Sequence, residues 1–252
     1  MKILVVGDSC IDKFYYGDCT RMCPEGPVPV LDFCYATERQ GMADNVANNV
    51  RALSIDCGTV TNTKKETKVR YIDRQSNQLI MRFDNQSGGG LALDINELPD
   101  LAGYDAIIVS DYNKGFITEE TAKYISESHP TTLLDTKRQL GEWANGFTFI
   151  KVNHEEYMAN KKYVNDNKDR CIITLGVEGC MYQDEMLPPP QLYASIDVAG
   201  AGDTFIAAFT VELCNEHPRK RHSTPSSRVL YAIGFAQDCC SRVIIKKGTA
   251  TI

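Results

Sequence analysis

Short apolar runs alternate with stretches of helical spacing along most of the chain. Residues 3–6, 106–109, 132–134, 148–152 and 171–174 are apolar runs of about strand length, too short for core helices. Between them, 43–53 places Val46, Ala47, Val50 and Leu53 on one helical face. Segment 118–128 opens with Thr118 as an N-cap, followed by Glu119 and Glu120 where the helix dipole favours acids. Two more helices are predicted over 201–214 and 223–240. Strands alternating with helices predict an α/β fold, a mostly parallel sheet covered on both faces.

Two segments break the alternation. Residues 14–38 are rich in Tyr, Phe, Val and Pro, and 68–85 read as two strands around a polar turn at Ser76-Asn77. Together they predict a small antiparallel sheet projecting from the main layer, with 86–90 as the return to the body. There is no internal repeat.

Composition narrows the picture only a little. The 252 residues suit one large α/β domain or two small ones, and 43% hydrophobic with 24% charged residues is ordinary for a soluble protein. A net charge of −6 argues against a nucleic-acid partner but leaves phosphate ligands open, since backbone N–H groups and a few cations hold those. The apolar start is interrupted by Gly7-Asp8, too early for a signal peptide, and no stretch is long enough to span a membrane. No membrane partner is expected, and the default location is the cytoplasm. The ten cysteines show no Cys-x-x-Cys pair and no adjoining His cluster. They read as reduced, mostly buried thiols, with a zinc site as the minor alternative.

Five short motifs carry candidate chemistry. Gly200-Ala201-Gly202-Asp203 opens an apolar helix, whose N-terminus offers N–H donors and a positive dipole end to an anion. Asp203 there can take a proton from an attacking hydroxyl, or it can simply cap the helix. Gly7-Asp8-Ser9-Cys10-Ile11-Asp12 follows the first strand, where α/β sheets bind ligands; its two acids suit a polyol, or solvent. Gly41 to Asn45 is a turn into a helix, with Asn45 able to reach a sugar hydroxyl or merely to start the helix. Asn153-His154-Glu155-Glu156 can organise hydrated magnesium and nucleotide phosphate, or form a capping box. Thr174-Leu175-Gly176-Val177-Glu178-Gly179 can lay backbone along a nucleotide, or be only a turn. No Walker P-loop occurs.

In this order the motifs resemble the ribokinase-like, or pfkB, carbohydrate kinase family. Asp197-x-x-Gly200-Ala201-Gly202-Asp203 is the most specific part of the likeness. Within the family, four stretches resemble the heptose 7-phosphate kinase domain of a bacterial bifunctional enzyme. They are Gly7-Asp8 to Asp12 with Tyr15-Tyr16-Gly17; Arg21-Met22-Cys23-Pro24-Glu25-Gly26-Pro27-Val28-Pro29-Val30; Asn77-Gln78-Leu79-Ile80-Met81-Arg82; and Ser110-Asp111-Tyr112-Asn113-Lys114-Gly115.

The resemblance implies an ATP-dependent sugar kinase that phosphorylates D-glycero-β-D-manno-heptose 7-phosphate at O1. It implies Asp203 as base, with Gly200, Ala201 and Gly202 as the anion hole. Asp8, Asp12, Gly41, Asn45 and Asp111 would bind the sugar, and Arg82 and Lys114 its phosphate. Asn153 and Glu156 would serve ATP and Mg2+, Glu156 through water. Thr174, Gly176 and Gly179 would lie along the nucleotide, and Gln237 beside adenine. A monovalent cation stays open. The segments 14–38 and 68–85 would be lids of a single domain over 1–252, pairing between subunits of a homodimer.

Departures from the family pattern bear on the substrate. Gly41-Met42-Ala43-Asp44-Asn45 stands where the family has Gly-Gly-Ala-Ala-Asn, which brings bulk and charge toward the sugar, and Ala199 replaces a Thr. The passage 61–66 is short and the helix after Glu156 is trimmed, and neither a last helix nor a nucleotidyltransferase domain is expected to follow. A compact stand-alone kinase is therefore expected. Fructose, fructose 6-phosphate, ribose or a nucleoside remain alternative substrates, and a non-catalytic sugar or nucleotide binder is the third reading.

Overall fold

The computed structural model describes residues 1–85, 90–190, 198–215, 225–245 and 251–252. In chain order the elements are β1 (Lys2–Gly7), β2 (Ser9–Met22), β3 (Pro29–Met42), α1 (Ala43–Ala52), β4 (Asp56–Thr61), β5 (Glu66–Asp73) and β6 (Leu79–Asn85). There follow β7 (Ala106–Asp111), α2 (Glu119–Ser128), β8 (Thr132–Thr136), β9 (Phe149–Asn153), α3 (His154–Ala159), α4 (Lys161–Asp166) and β10 (Cys171–Thr174). The last are β11 (Cys180–Tyr182), β12 (Glu185–Leu187), α5 (Ala201–Cys214) and α6 (Pro225–Val243). Asp197, part of the sequence signature, lies outside the described residues, as do 86–89 of the expected return segment and the first residues of the helix expected over 223–240.

The main sheet has eight strands in the order β12-β11-β10-β9-β8-β7-β1-β4. It is parallel from β10 to β4 and ends in the antiparallel strands β11 and β12. Alternation along β1 divides the core. Ile3 and Val5 face α1, α5 and α6, where Val46, Phe205 and Ile233 pack. Leu4 and Val6 face the other layer, where Ile125, Phe147 and Val164 pack. This is the expected α/β architecture, and the apolar runs are continuous because both faces are covered.

The second sheet has the order β3-β2-β5-β6. Its hairpins β2–β3 and β5–β6 are antiparallel, as expected for the lid, and they meet along a parallel β2–β5 seam. The chain passes from β1 into β2 through Asp8 alone, and from β4 into β5 through the short passage 62–65. Asn62 ties the two crossings together. Its Oδ1 accepts from the Ser9 N–H at 2.6 Å, and its Nδ2 donates to the Ser9 carbonyl at 3.2 Å. Among the described residues, no helix is long and apolar enough to cross a membrane.

Candidate functional site

The N-terminus of α5 is the focus of the cleft. Gly200, at φ 83°, turns the chain into α5 and places Asp203 on its first turn, buried. Asn45 Nδ2 donates to Asp203 Oδ2 at 2.9 Å, and the Tyr112 hydroxyl donates to Oδ1 at 2.7 Å. Three segments far apart in sequence therefore converge on one carboxylate. Burial pushes its pKa up to about 6, with Asp135 adding to the rise; Asn45, Tyr112 and Lys151 oppose it. A carboxylate poised near neutrality suits a general base. The helix N-terminus beside it offers N–H groups to an anion.

Lys151, from β9, stands next to that turn: a Cβ built on Gly202 would come within 2.9 Å of its Nζ. Its Nζ pairs with Asp135 Oδ2 of β8 at 2.9 Å, and both side chains are buried. Burial alone would lower the lysine pKa, but Asp135, Glu156 and Asp203 outweigh it and leave it raised. A fixed cation therefore sits beside the α5 N-terminus, where the charge of a bound anion can be met.

The acids read as sugar ligands are already well supplied with partners. Asp8 gathers the loop after β7, accepting from the N–H groups of Tyr112 at 2.8 Å, Lys114 at 3.3 Å and Phe116 at 3.3 Å. Burial nonetheless raises its pKa. Asp12 pairs with Arg70 of β5 at 2.5 Å. Gly41 lies so near that a Cβ there would meet Asp12 Oδ2 at 2.3 Å and Cys10 Sγ at 2.8 Å, so only glycine fits. Asp111 is fully buried and held by Thr136 Oγ1 at 2.7 Å, Arg138 Nε at 2.8 Å and the Asn113 N–H at 2.9 Å. That geometry shapes the loop rather than presenting a free carboxylate. Lys114 pairs with Glu66 at 3.2 Å, and Arg82 with Asp84 at 2.7 Å.

Met42 and Asp44, the departures in the turn, have structural partners. Met42 caps α1 at φ 59°, ψ −130°, a conformation normally left to glycine, and its side chain is buried. Asp44 forms an ion pair with Lys65, which belongs to the short passage between β4 and β5. The extra charge is thus neutralised within the chain.

Beside the first turn of α5, a cavity of about 220 Å³ is lined by Thr174, Gly176, Gly179, Phe205 and Gln237 and reaches Ala201 and Gly202. Gln237 Nε2 donates to the Leu187 carbonyl at 2.8 Å, fixing the amide at the wall. Thr174 Oγ1 donates to the Val152 carbonyl at 3.3 Å. Asn153 and Glu156 form a full capping box on α3, and Glu156 also pairs with Lys137. Among the described residues, no group of three or more His, Cys, Asp or Glu side chains comes together to hold a metal. Glu156 alone does not make a metal site. One carboxylate suits only a hydrated ion that arrives with nucleotide oxygens.

Residues 41–252 match the family model described as pfkB family carbohydrate kinase. The chain belongs to that family. Two curated relatives are proteins named bifunctional protein HldE. The one from Sulfurimonas denitrificans is 26% identical over 306 aligned positions, covering 100% of this chain and 62% of that protein. The one from Wolinella succinogenes is 28% identical, covering 99% of this chain and 62% of that protein. This pfkB kinase therefore spans about three-fifths of the length of those relatives. Among solved structures, ribokinase from Thermotoga maritima superposes with a TM-score of 0.71 at 17% identity, covering 98% of this chain and 94% of that one. Ribokinase from Arabidopsis thaliana, complexed with ribose and ATP, gives 0.67 at 13% identity, covering 98% and 93%. At these identities the likeness establishes a shared ribokinase-like fold.

The fold of this carbohydrate kinase brings Asn45 to Asp203 on the first turn of α5, and Ala201 and Gly202 of that turn line the cavity together with Thr174, Gly176, Gly179 and Gln237. Sequence reasoning missed Tyr112, Lys151, Asp135 and Arg70. One signal was available: Lys151 interrupts an apolar strand between Ile150 and Val152.

Proposed function

We propose that the protein is an ATP-dependent kinase of a phosphorylated sugar, with D-glycero-β-D-manno-heptose 7-phosphate, phosphorylated at O1, as its leading substrate. The observation that carries the kinase reading is the buried Asp203 held by Asn45 on the first turn of α5, with Lys151 beside Gly202 and the cavity reaching Ala201 and Gly202 of the same turn. In this reading ATP lies in the cavity, and Asp203 takes the proton of the attacking sugar hydroxyl. The α5 N-terminus and Lys151 meet the charge that develops on the transferred phosphoryl group.

The lid supports a substrate that already carries phosphate. Arg70 and Arg82 are register partners on β5 and β6, so two guanidinium groups share the face that carries Asp12. Like charges directly opposite each other destabilise a sheet unless an anion bridges them. Here Asp12 and Asp84 serve that purpose, and a sugar phosphate can exchange with them. The heptose assignment rests on the stretch from Arg21 to Val30 and on the relatives named HldE. Met42 and the Asp44–Lys65 pair favour a second reading, another sugar phosphate, because they remodel the turn that carries Asn45. A substrate panel with coupled ADP detection tests both. Turnover confined to unphosphorylated sugars would sink the phosphosugar reading, and no turnover with retained nucleotide binding would point to a non-catalytic binder.

The lid's other face supports a homodimer, in the cytoplasm where ATP and sugar phosphates are found. Phe33, Tyr15, Tyr71 and Met81 form an apolar stripe across all four strands, with ring centroids 6.0 Å apart for Tyr15–Phe33 and 5.5 Å for Tyr15–Tyr71. Phe33 and Met81 are more than half exposed, and a second copy of the same stripe is the partner that would cover them.

A further inference from the structure

We propose that Tyr112 is a positioning residue for the base: its hydroxyl aims and holds the Asp203 carboxylate, and its ring links that carboxylate to the lid and to the nucleotide side. The proposal rests on the kinase reading above for its consequences in turnover, but not for its structural content. A carboxylate offers about four lone-pair directions. Asn45 takes one on Oδ2 and Tyr112 one on Oδ1, at 2.9 and 2.7 Å, which fixes the plane and leaves room for a sugar proton.

The ring is placed to feel both ligands. Lys68 of the lid strand β5 lies 5.8 Å from its centroid, and Lys137, the partner of Glu156, lies 5.6 Å from it. Cations at that range are attracted to an aromatic face. The loop that carries Tyr112 is fastened from below, since Asp8 accepts its backbone N–H. The phenol therefore connects the lid, the nucleotide side and the base within one residue.

Charged and titratable groups face Asp203 from four elements: Cys10 from β2, Tyr112 after β7, Asp135 from β8 and Lys151 from β9, beside the neutral Asn45 amide of α1. The Cys10 thiol is pushed up to about 12 by burial and by Asp12, so it stays neutral at working pH. Asp135 disfavours the Asp203 anion, while Lys151, Asn45 and Tyr112 favour it. Tyr112→Phe removes one favouring hydrogen bond and keeps the ring with its neighbouring cations.

The test is carboxyl 13C NMR of Asp203, assigned by its loss in D203N. In Y112F the titration midpoint should rise by about one pH unit, the acid limb of kcat should move with it, and kcat should fall roughly 10-fold. KM for ATP should hold. In the unsubstituted protein, the Tyr112 13Cζ resonance should follow the Asp203 midpoint. An unmoved midpoint in Y112F, or a Tyr112 resonance blind to Asp203 ionisation, overturns the proposal. If no sugar is turned over, the kinase reading fails on its own, and the two NMR titrations still decide whether Tyr112 holds Asp203.

Discussion

The main sheet and the lid sheet flank the same cleft but are held by different forces. Every residue of β7 and β8 is buried, while β3 and β6 are mostly exposed. One ion pair on the body side of the cleft, Asp135–Lys151, is buried on both partners. The outer pairs of the lid, Arg82–Asp84, Arg74–Asp18 and Lys13–Glu38, are open to solvent. A buried pair is costly to break and fixes its groups in place. An exposed pair contributes little and can exchange partners. The body is therefore suited to hold the reacting groups, and the lid to recognise whatever anion the substrate brings.

Removing the proposed base tests the body most severely. D203N should cut kcat by 10²- to 10⁴-fold in a coupled ADP assay, the usual contribution of a general base. Near-normal turnover would refute the assignment. The same variant has a stability signature. Asp203 has its folded pKa raised from 3.8 to about 6, so the folded state holds the proton more tightly than the unfolded chain between those values. Its contribution favours folding at low pH and is lost as pH rises through about 6, up to ~3 kcal/mol. D203N should therefore match or exceed the parent in melting temperature at pH 7, with the gap closing toward pH 4.

Lys151 separates chemistry from stability. K151M strands Asp135 as a buried, uncompensated charge, and its Oδ1 already lacks a hydrogen-bond partner. The cost should be ~3–5 kcal/mol in denaturant melts. Adding D135N should restore most of that stability. If Lys151 meets phosphoryl charge, kcat should stay down roughly 10²-fold in the restored double variant. Recovery of kcat along with stability would reduce the lysine to a structural part.

The contrast also explains what the sequence allowed. Strand β10 and helix α5 have the bounds that their apolar patterns predict, because each is packed on its own terms. Strand β2 begins at Ser9, well before the expected 14, because Asp8 alone carries the chain between sheets and residues 9–13 are already strand. Edge strand β4 escaped notice because its exposed edge position leaves only Cys57 buried and weakens its apolar signal. In the site, motifs with a local form were legible: the turn into α5 and the capping box of α3. Contacts made by the fold were not. Asn45 and Tyr112 reach Asp203 across 158 and 91 residues of sequence, and Lys65 reaches Asp44 from another element. No local pattern encodes such pairs.

In the lid, R82A should be nearly silent in stability, within about 0.5 kcal/mol, because its pair with Asp84 is exposed. KM for a phosphorylated sugar should rise roughly 10-fold while kcat holds, the mark of a group that binds ground state and transition state alike. Equal losses for the phosphorylated sugar and its unphosphorylated parent would show that Arg82 does not read the phosphate.

The smallest effect on the isolated chain belongs to the lid's outer face. Phe83 lies opposite Val69 in the β5–β6 register, on the same face as Tyr71 and Met81, and 54% of it is exposed. Replacing it by Lys removes apolar surface that the monomer does not bury, so the monomer should lose no more than about 0.5 kcal/mol. A dimer formed through that stripe would have to bury one new charge per copy at its centre, in a patch related to itself by two-fold symmetry. Sedimentation equilibrium should then give the mass of a pair for the parent chain and of a single chain for F83K. If both sediment as a pair, the stripe is not the seam. The exposed aromatic residues would then belong to the lid's own stacking, in which Tyr15 and Tyr71 already share a face.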